Sequence, residues 1–167
     1  HKKIGVDNIV FNEDYTPYAK KRDTDIEKFC SKNEIQCHKI HDYLLAEIGT
    51  FLKADGKPYT VYTPFKNNAM KFKIEKPKSL KVKNLANPKL SDDGYISNPV
   101  NPNILVHGGR ANALKQLKLV KEQKKYNDNR NELSIPTSQL SAYIKFGNIS
   151  IREAYWEIRN NLGIQNE

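Results

Sequence analysis

The sequence predicts an α/β segment followed by an all-helical one, with a long connection between them, and three observations predict it. A strand, helix and strand pattern fills residues 4–40, and apolar stripes at helical spacing return after Gly108 and Gly109. Between them, from Gly49 to Asn103, lie six of the eight prolines among clusters of Asn, Lys and Asp. That composition punctuates a chain into turns and does not sustain a helix or a strand.

Residues 4–11, Ile-Gly-Val-Asp-Asn-Ile-Val-Phe, are expected to form a short buried strand, being rich in β-branched and apolar side chains. Thr16 followed by Pro17 supplies an N-cap and a proline at the first helical position. The helix so begun should run to about Lys32, with Ala19, Ile26, Phe29 and Cys30 on its inner stripe and Asn33 as its stop. Ile35 to Ile40 reads as a second strand, Ile35 and Cys37 sharing a face, so that one βαβ unit is complete. The connection carries turns at Asp55-Gly56-Lys57-Pro58 and Asp92-Asp93-Gly94. A structureless loop of that length is unusual inside one compact domain, so it is read as an interdomain linker.

In the last third, Ala113, Leu114, Leu117 and Val120 form an apolar stripe, with Lys115, Lys118, Lys121, Lys124 and Lys125 on the other faces. Such a lysine series is more often a solvated face than a DNA contact. A second helix is expected from Thr137-Ser138 to just before Gly147. A third starts at Ser150, where Glu153 three residues later completes a capping box, and stops at Gly163. Its stripe is Ile151, Ala154, Tyr155, Ile158 and Leu162.

Composition bounds the function classes. Leu, Ile, Val and Phe make up 41 of 167 residues, enough for a packed core, although the mean hydropathy is low at −0.75. Lys and Arg exceed Asp and Glu by nine, a field that attracts nucleic acid or other anionic surfaces without distinguishing them. Cys30 and Cys37 are too few for a disulfide framework or a metal cluster and are expected as reduced, half-buried thiols. His38, His41 and His107 lack the Cys or carboxylate spacing of a metal site, so no metal is expected. With no apolar run of about 18 residues and no signal peptide, a soluble intracellular protein without a membrane partner is expected.

The most informative stretch is Tyr126 to Gly147, YNDNRNELSIPTSQLSAYIKFG. Thr137, Ser138 and Ser141 place three hydroxyls around the expected start of a helix, which also offers free N–H groups and a positive dipole end. The combination suits a phosphate or pyrophosphate, although Ser and Thr at such positions usually serve only as caps. The stretch resembles the flavin-binding segment of the photolyase and cryptochrome family, which reads Tyr, three residues, Arg, then Thr-Ser-x-Leu-Ser and Phe-Gly. Tyr126, Arg130, Thr137-Ser138-Gln139-Leu140-Ser141 and Phe146-Gly147 fill those positions. The likeness extends along the chain. Asp14 to Ala19 with Arg22-Asp23 resembles the last strand-to-helix turn of the family's N-terminal α/β domain. Gly56 to Phe65 resembles the start of its linker, and Gly108-Gly109-Arg110 with Ala113-Leu114 the start of its helical domain.

What the resemblance implies is specific. Residues 1–48 would end a Rossmann-like α/β (antenna) domain, 49–103 would be the interdomain linker, and 104–167 would begin the all-α FAD-binding domain. Tyr126, Thr137, Ser138, Gln139, Leu140 and Ser141 would contact FAD, chiefly its phosphates, and Arg130 would meet a DNA phosphate. The wording of 56–65 points to the class I branch, which repairs cyclobutane pyrimidine dimers. In the family, light drives an electron from reduced FAD into a dimer flipped out of the duplex, and the dimer splits. The folate-binding members carry an amide and an acidic residue where this chain has Tyr18 and Ala19, so the antenna chromophore is not assigned.

No catalytic residue of the family falls within the chain. The helices around the flavin ring, the carboxylate that aids splitting and the tryptophan chain would lie beyond Glu167, and Trp156 is the one tryptophan. The expectation is therefore part of a deoxyribodipyrimidine photolyase, split or truncated and inactive alone, acting on UV-damaged DNA, with the remainder either on a second polypeptide or outside the given sequence. A non-catalytic DNA-binding remnant and a blue-light-sensing cryptochrome-type flavoprotein are the alternatives.

Overall fold

The computed structural model describes residues 5–78, 83–84 and 101–163. The chain divides into two compact units, His1–Glu75 and Lys76–Glu167. The expected start of the first strand at Ile4 and the turn Asp92-Asp93-Gly94 lie outside the described residues.

The first unit opens with β1 (Asn8–Asn12), α1 (Pro17–Lys32) and β2 (Gln36–Ile40). Helix α1 begins where the local chemistry says it should. Thr16 is extended, its side chain accepts the Ala19 N–H at 3.3 Å, and Pro17 occupies the first position, where no N–H is needed. Asn33 ends the helix, its own N–H and side-chain amide both donating to the Phe29 carbonyl. The chain then turns through Glu34, at φ +57, into β2. The strands pair in parallel, with Asn8 opposite Gln36 and Asn12 opposite Ile40, as a helical crossover between them requires.

Two expectations for this unit are corrected. β1 is not a buried strand: it alternates, with Ile9 and Phe11 partly covered and Val10 62% exposed. A two-stranded sheet with one helix covers only one face, so alternate residues look outward. The inner stripe of α1 is Ala19, Asp23 and Cys30, while Ile26 is partly covered and Phe29 49% exposed. The buried Asp23 is compensated by Arg22, whose guanidinium reaches its carboxylate at 2.6 and 2.8 Å. Ile9, Tyr18, Ile26 and Phe29 instead line an open groove of about 600 Å³, edged by Lys21 and Arg22.

The stretch after Gly49 is more ordered than its composition suggests. The Asp55 to Pro58 turn closes a small hairpin: Lys53 N–H donates to the Lys57 carbonyl, Gly56 takes φ +75, and Leu52 bridges Pro58. A helix that the sequence pattern did not reveal, α2 (Tyr62–Ala69), follows. Neither end has a side-chain cap, and what holds it is a set of edge-to-face aromatic contacts. Phe51 meets Phe65 and Phe72 at 5.9 and 5.5 Å, and Tyr59 meets Phe65 at 6.2 Å.

The second unit contains α3 (Arg110–Lys118), a 3-10 segment (Leu119–Lys125), α4 (Tyr126–Asn129), α5 (Ser141–Lys145) and α6 (Ile151–Leu162). Ala113, Leu117, Val120, Leu140, Tyr143, Ile149 and Ala154 form one core cluster, each no more than 6% exposed. Leu114, expected on the inner stripe of α3, is 37% exposed, and Ile158 of α6 is 38% exposed. The core therefore takes a narrower stripe than the apolar pattern offers. Helix α6 carries the expected capping box in both directions, Glu153 N–H to the Ser150 hydroxyl and Ser150 N–H to the Glu153 carboxylate, and ends at Gly163 at φ +80.

Candidate functional site

The residues singled out in the sequence fall on two short pieces of the helical unit. Tyr126 opens α4 and Arg130 caps its end, the Arg130 N–H donating to the Tyr126 carbonyl at 2.8 Å. Both side chains are exposed, Tyr126 at 39%, and among the described residues neither makes a hydrogen bond or ion pair. They are thus one helical turn apart on a surface that presents an aromatic face and a cation.

Thr137 to Ser141 behave differently from the expected helix start. Helix α5 begins only at Ser141, because Gln139 sits in the left-handed region at φ +51 and cannot continue a right-handed helix. That conformation costs a non-glycine residue about 1–2 kcal/mol. Two contacts sustain it. The Gln116 side chain of α3 donates its amide to the Ser138 carbonyl at 3.0 Å, and the Leu140 side chain is buried in the core at 3% exposure. Leu140 can therefore offer a ligand only its backbone. Thr137, Ser138 and Gln139 are partly exposed and Ser141 is exposed. No side chain caps α5, so these hydroxyls are not used as the usual caps.

The platform beneath this loop is tied across long sequence separations. Tyr143 of α5 donates its hydroxyl to the His107 carbonyl at 2.9 Å. Arg110, at the start of α3, makes a two-point ion pair with Glu153 at the start of α6, one contact at 2.8 Å, and also donates to the Asn148 carbonyl. The guanidinium holds the Glu153 carboxyl below the usual carboxylate range, and the Ser150 backbone N–H lowers it further against the opposing effect of burial. Glu153 thus caps α6 and anchors α3 at once. Sequence reasoning found the capping box, and Arg110 as the start of the helical segment, but not the ion pair between them, and it did not single out Gln116.

Elsewhere the chemistry is structural. Cys30 is fully buried rather than half-buried, and Cys37 is partly covered. Burial pushes the Cys37 thiol up, and its hydrogen bond with Cys30 adds to the rise, the opposite of what a nucleophile needs. His38 bonds Asn8 at 3.0 Å, and His41 lies between Glu13 and the Ala46 carbonyl at 3.1 and 3.0 Å. Among the described residues no three His, Cys, Asp or Glu side chains gather to hold a metal, and no helix is long and apolar enough to cross a membrane. Trp156 stacks edge-on against Tyr155 at 5.8 Å, with Arg159 at 4.9 Å and Lys76 at 5.1 Å from its ring.

The sequence profile described as DNA photolyase matches residues 1–84, just over half of the chain. The chain belongs to the DNA photolyase family. The deoxyribodipyrimidine photo-lyase of Alkalihalophilus pseudofirmus is 29% identical over 175 residues, covering 93% of this chain and 35% of that protein. Among solved structures, a class III photolyase from Agrobacterium tumefaciens superposes with a TM-score of 0.77 at 25% identity, over 90% of this chain and 34% of that one. An archaeal photolyase from Sulfolobus tokodaii, solved with two FAD molecules, gives a TM-score of 0.61 at 27% identity, over 87% and 32%. The βαβ segment followed by helices is thus the photolyase arrangement. The chain spans about a third of the length of these photolyases.

Proposed function

We propose that this chain is part of a light-driven, FAD-dependent photolyase that repairs UV-induced pyrimidine dimers in DNA. The observation that carries the reading is the segment Thr137 to Ser141, a family flavin-site motif whose hydroxyls are left free of capping and whose backbone is held open at Gln139. In this reading Tyr126, Thr137, Ser138, Gln139, Leu140 and Ser141 hold FAD through its phosphates, Leu140 by its main chain only. Hydroxyls and free N–H groups are the donor set that phosphate oxygens require, so the residues present fit the group. FAD supplies the photochemical electron transfer, while this chain binds and orients it. Arg130 meets a DNA phosphate from the exposed turn of α4.

The reading keeps the three-part division: residues 1–48 end the α/β domain, 49–103 connect, and 104–167 begin the FAD-binding domain. The wording of residues 56–65 favours the class I, cyclobutane-dimer branch. The likeness to a class III structure supplies the competing placement. No antenna is assigned, since Ala19 is buried with its N–H committed to Thr16 and its methyl side chain offers a chromophore no polar group.

The chain covers about a third of the length of these relatives, so repair is proposed for the whole photolyase and is tested with a polypeptide that supplies the remaining helices. Mixing this chain with such a polypeptide, taken from the Alkalihalophilus enzyme beyond the matched region, should give a yellow complex. That complex should retain FAD and remove thymine dimers under blue light. Failure to retain flavin in the mixture overturns the reading. Flavin retention without repair would instead favour the cryptochrome-type alternative. Salt-sensitive DNA binding with no flavin and no preference for irradiated DNA would favour the remnant.

A further inference from the structure

The loop Thr137 to Ser141 is shaped by a residue outside it, and this inference rests on the phosphate-binding reading above. Gln116 lies on α3, twenty-two positions before Ser138, and its amide donates to the Ser138 carbonyl at 3.0 Å. A trans peptide points its carbonyl and its N–H in opposite directions. With the Ser138 carbonyl drawn to α3, the Gln139 N–H is turned away from α3, and among the described residues it has no backbone acceptor. The same peptide orientation places Gln139 at φ +51, which an unrestrained glutamine disfavours.

We propose that Gln116 is a positioning residue for the pyrophosphate of the flavin dinucleotide. Its side-chain amide keeps the Ser138–Gln139 peptide turned so that an N–H, and not a carbonyl, faces the phosphate. Without that bond the peptide flips and Gln139 returns to negative φ. A carbonyl oxygen then faces the anion, and a donor becomes a repulsive dipole. Gln116 does not touch the ligand, and its effect passes entirely through the main chain of residues 138 and 139.

The test uses the full 167-residue chain and two variants. Gln116→Met keeps the length and helix preference of the side chain and removes the donor, and Gln116→Glu replaces the donor with an acceptor. ADP is the probe, because it carries the pyrophosphate and dispenses with the flavin ring. Binding is followed at the Gln139 amide by NMR, and the HN–Hα coupling of Gln139 reports its φ in the absence of ligand. Wild type should show the intermediate coupling of a left-handed residue, larger than that of a right-handed helical residue and smaller than that of a strand, and a saturable shift of the Gln139 N–H on adding ADP. Gln116→Met should change the coupling and weaken ADP binding about tenfold, the worth of one hydrogen bond to a charged group. Gln116→Glu should weaken it at least as much, and adenosine, which lacks phosphate, should not distinguish the three proteins. A purely structural role would alter thermal unfolding but not the contrast between ADP and adenosine. Equal ADP affinity in wild type and Gln116→Met, or an unchanged Gln139 coupling, overturns the inference and leaves the phosphate reading standing. No ADP or FAD binding by the wild-type chain overturns the phosphate reading itself, and the inference with it.

Discussion

The two compact units use apolar residues in contrasting ways. Among the described residues of His1–Glu75 the sheet has two strands; Val10 stands 62% exposed, and Tyr18 and Phe29, 77% and 49% exposed, line an open groove. In Lys76–Glu167 seven residues close into one cluster with Ile149, at 1% exposure, among its most buried members. A helix needs to cover only one stripe, and three or four short helices can do that for one another. A sheet must be covered on a whole face, which one helix beside two strands leaves undone. The helical unit is therefore the better-sealed platform, and it carries every residue proposed here to meet flavin or DNA.

The contrast is breakable by measurement. Ile149→Ala removes a side chain from the sealed cluster and should cost about 2–5 kcal/mol in urea unfolding. The fluorescence of Trp156, the only tryptophan, reports on this unit alone. Phe29→Ala, in the open groove, should cost about 1 kcal/mol by circular dichroism, since half of the ring is already in water. Equal losses at the two positions would remove the distinction between the units.

Arg110→Ala sharpens the comparison at the tie between α3 and α6. The pair is partly exposed, Arg110 52% and Glu153 24% by side chain, so solvent screening limits its worth to about 1 kcal/mol. Its sign with pH is fixed by the direction of the shift. Glu153 is held below its unfolded value, chiefly by the Arg110 hydrogen bond, so the stabilisation is present above that value, about 4.3. It is lost as pH falls through the lower folded value. Arg110→Ala should therefore be less stable near neutrality and show a shallower fall in acid, as read from unfolding midpoints across pH 2 to 7. A curve parallel to wild type would mean that the ion pair contributes nothing to folding. The smallest effect is expected at Thr16→Ala, which removes a single long cap bond at 3.3 Å and should cost about 0.5–1 kcal/mol of α1 stability.

What could be read from the sequence was whatever closes within a turn or two of chain. Thr16 with Pro17, Asn33 as the stop of α1, the Asp55–Pro58 turn, and Ser150 with Glu153 each involve groups no more than about four residues apart. Their geometry follows from side-chain type and backbone rules alone. The string Tyr126 to Gly147 was legible as a resemblance, and the family it pointed to is the one that the match over residues 1–84 shows. The late start of α5 was not, because the left-handed Gln139 depends on Gln116 twenty-two residues earlier and on a core that takes Leu140 inward. Helix α2 escaped notice for a similar reason, being held by aromatic rings and not by caps. Arg110 and Glu153, forty-three residues apart, meet only once α3 and α6 have packed. Local hydrogen bonds decide where elements begin and end; which polar side chain reaches the loop before α5 is decided by the neighbours that folding delivers to it.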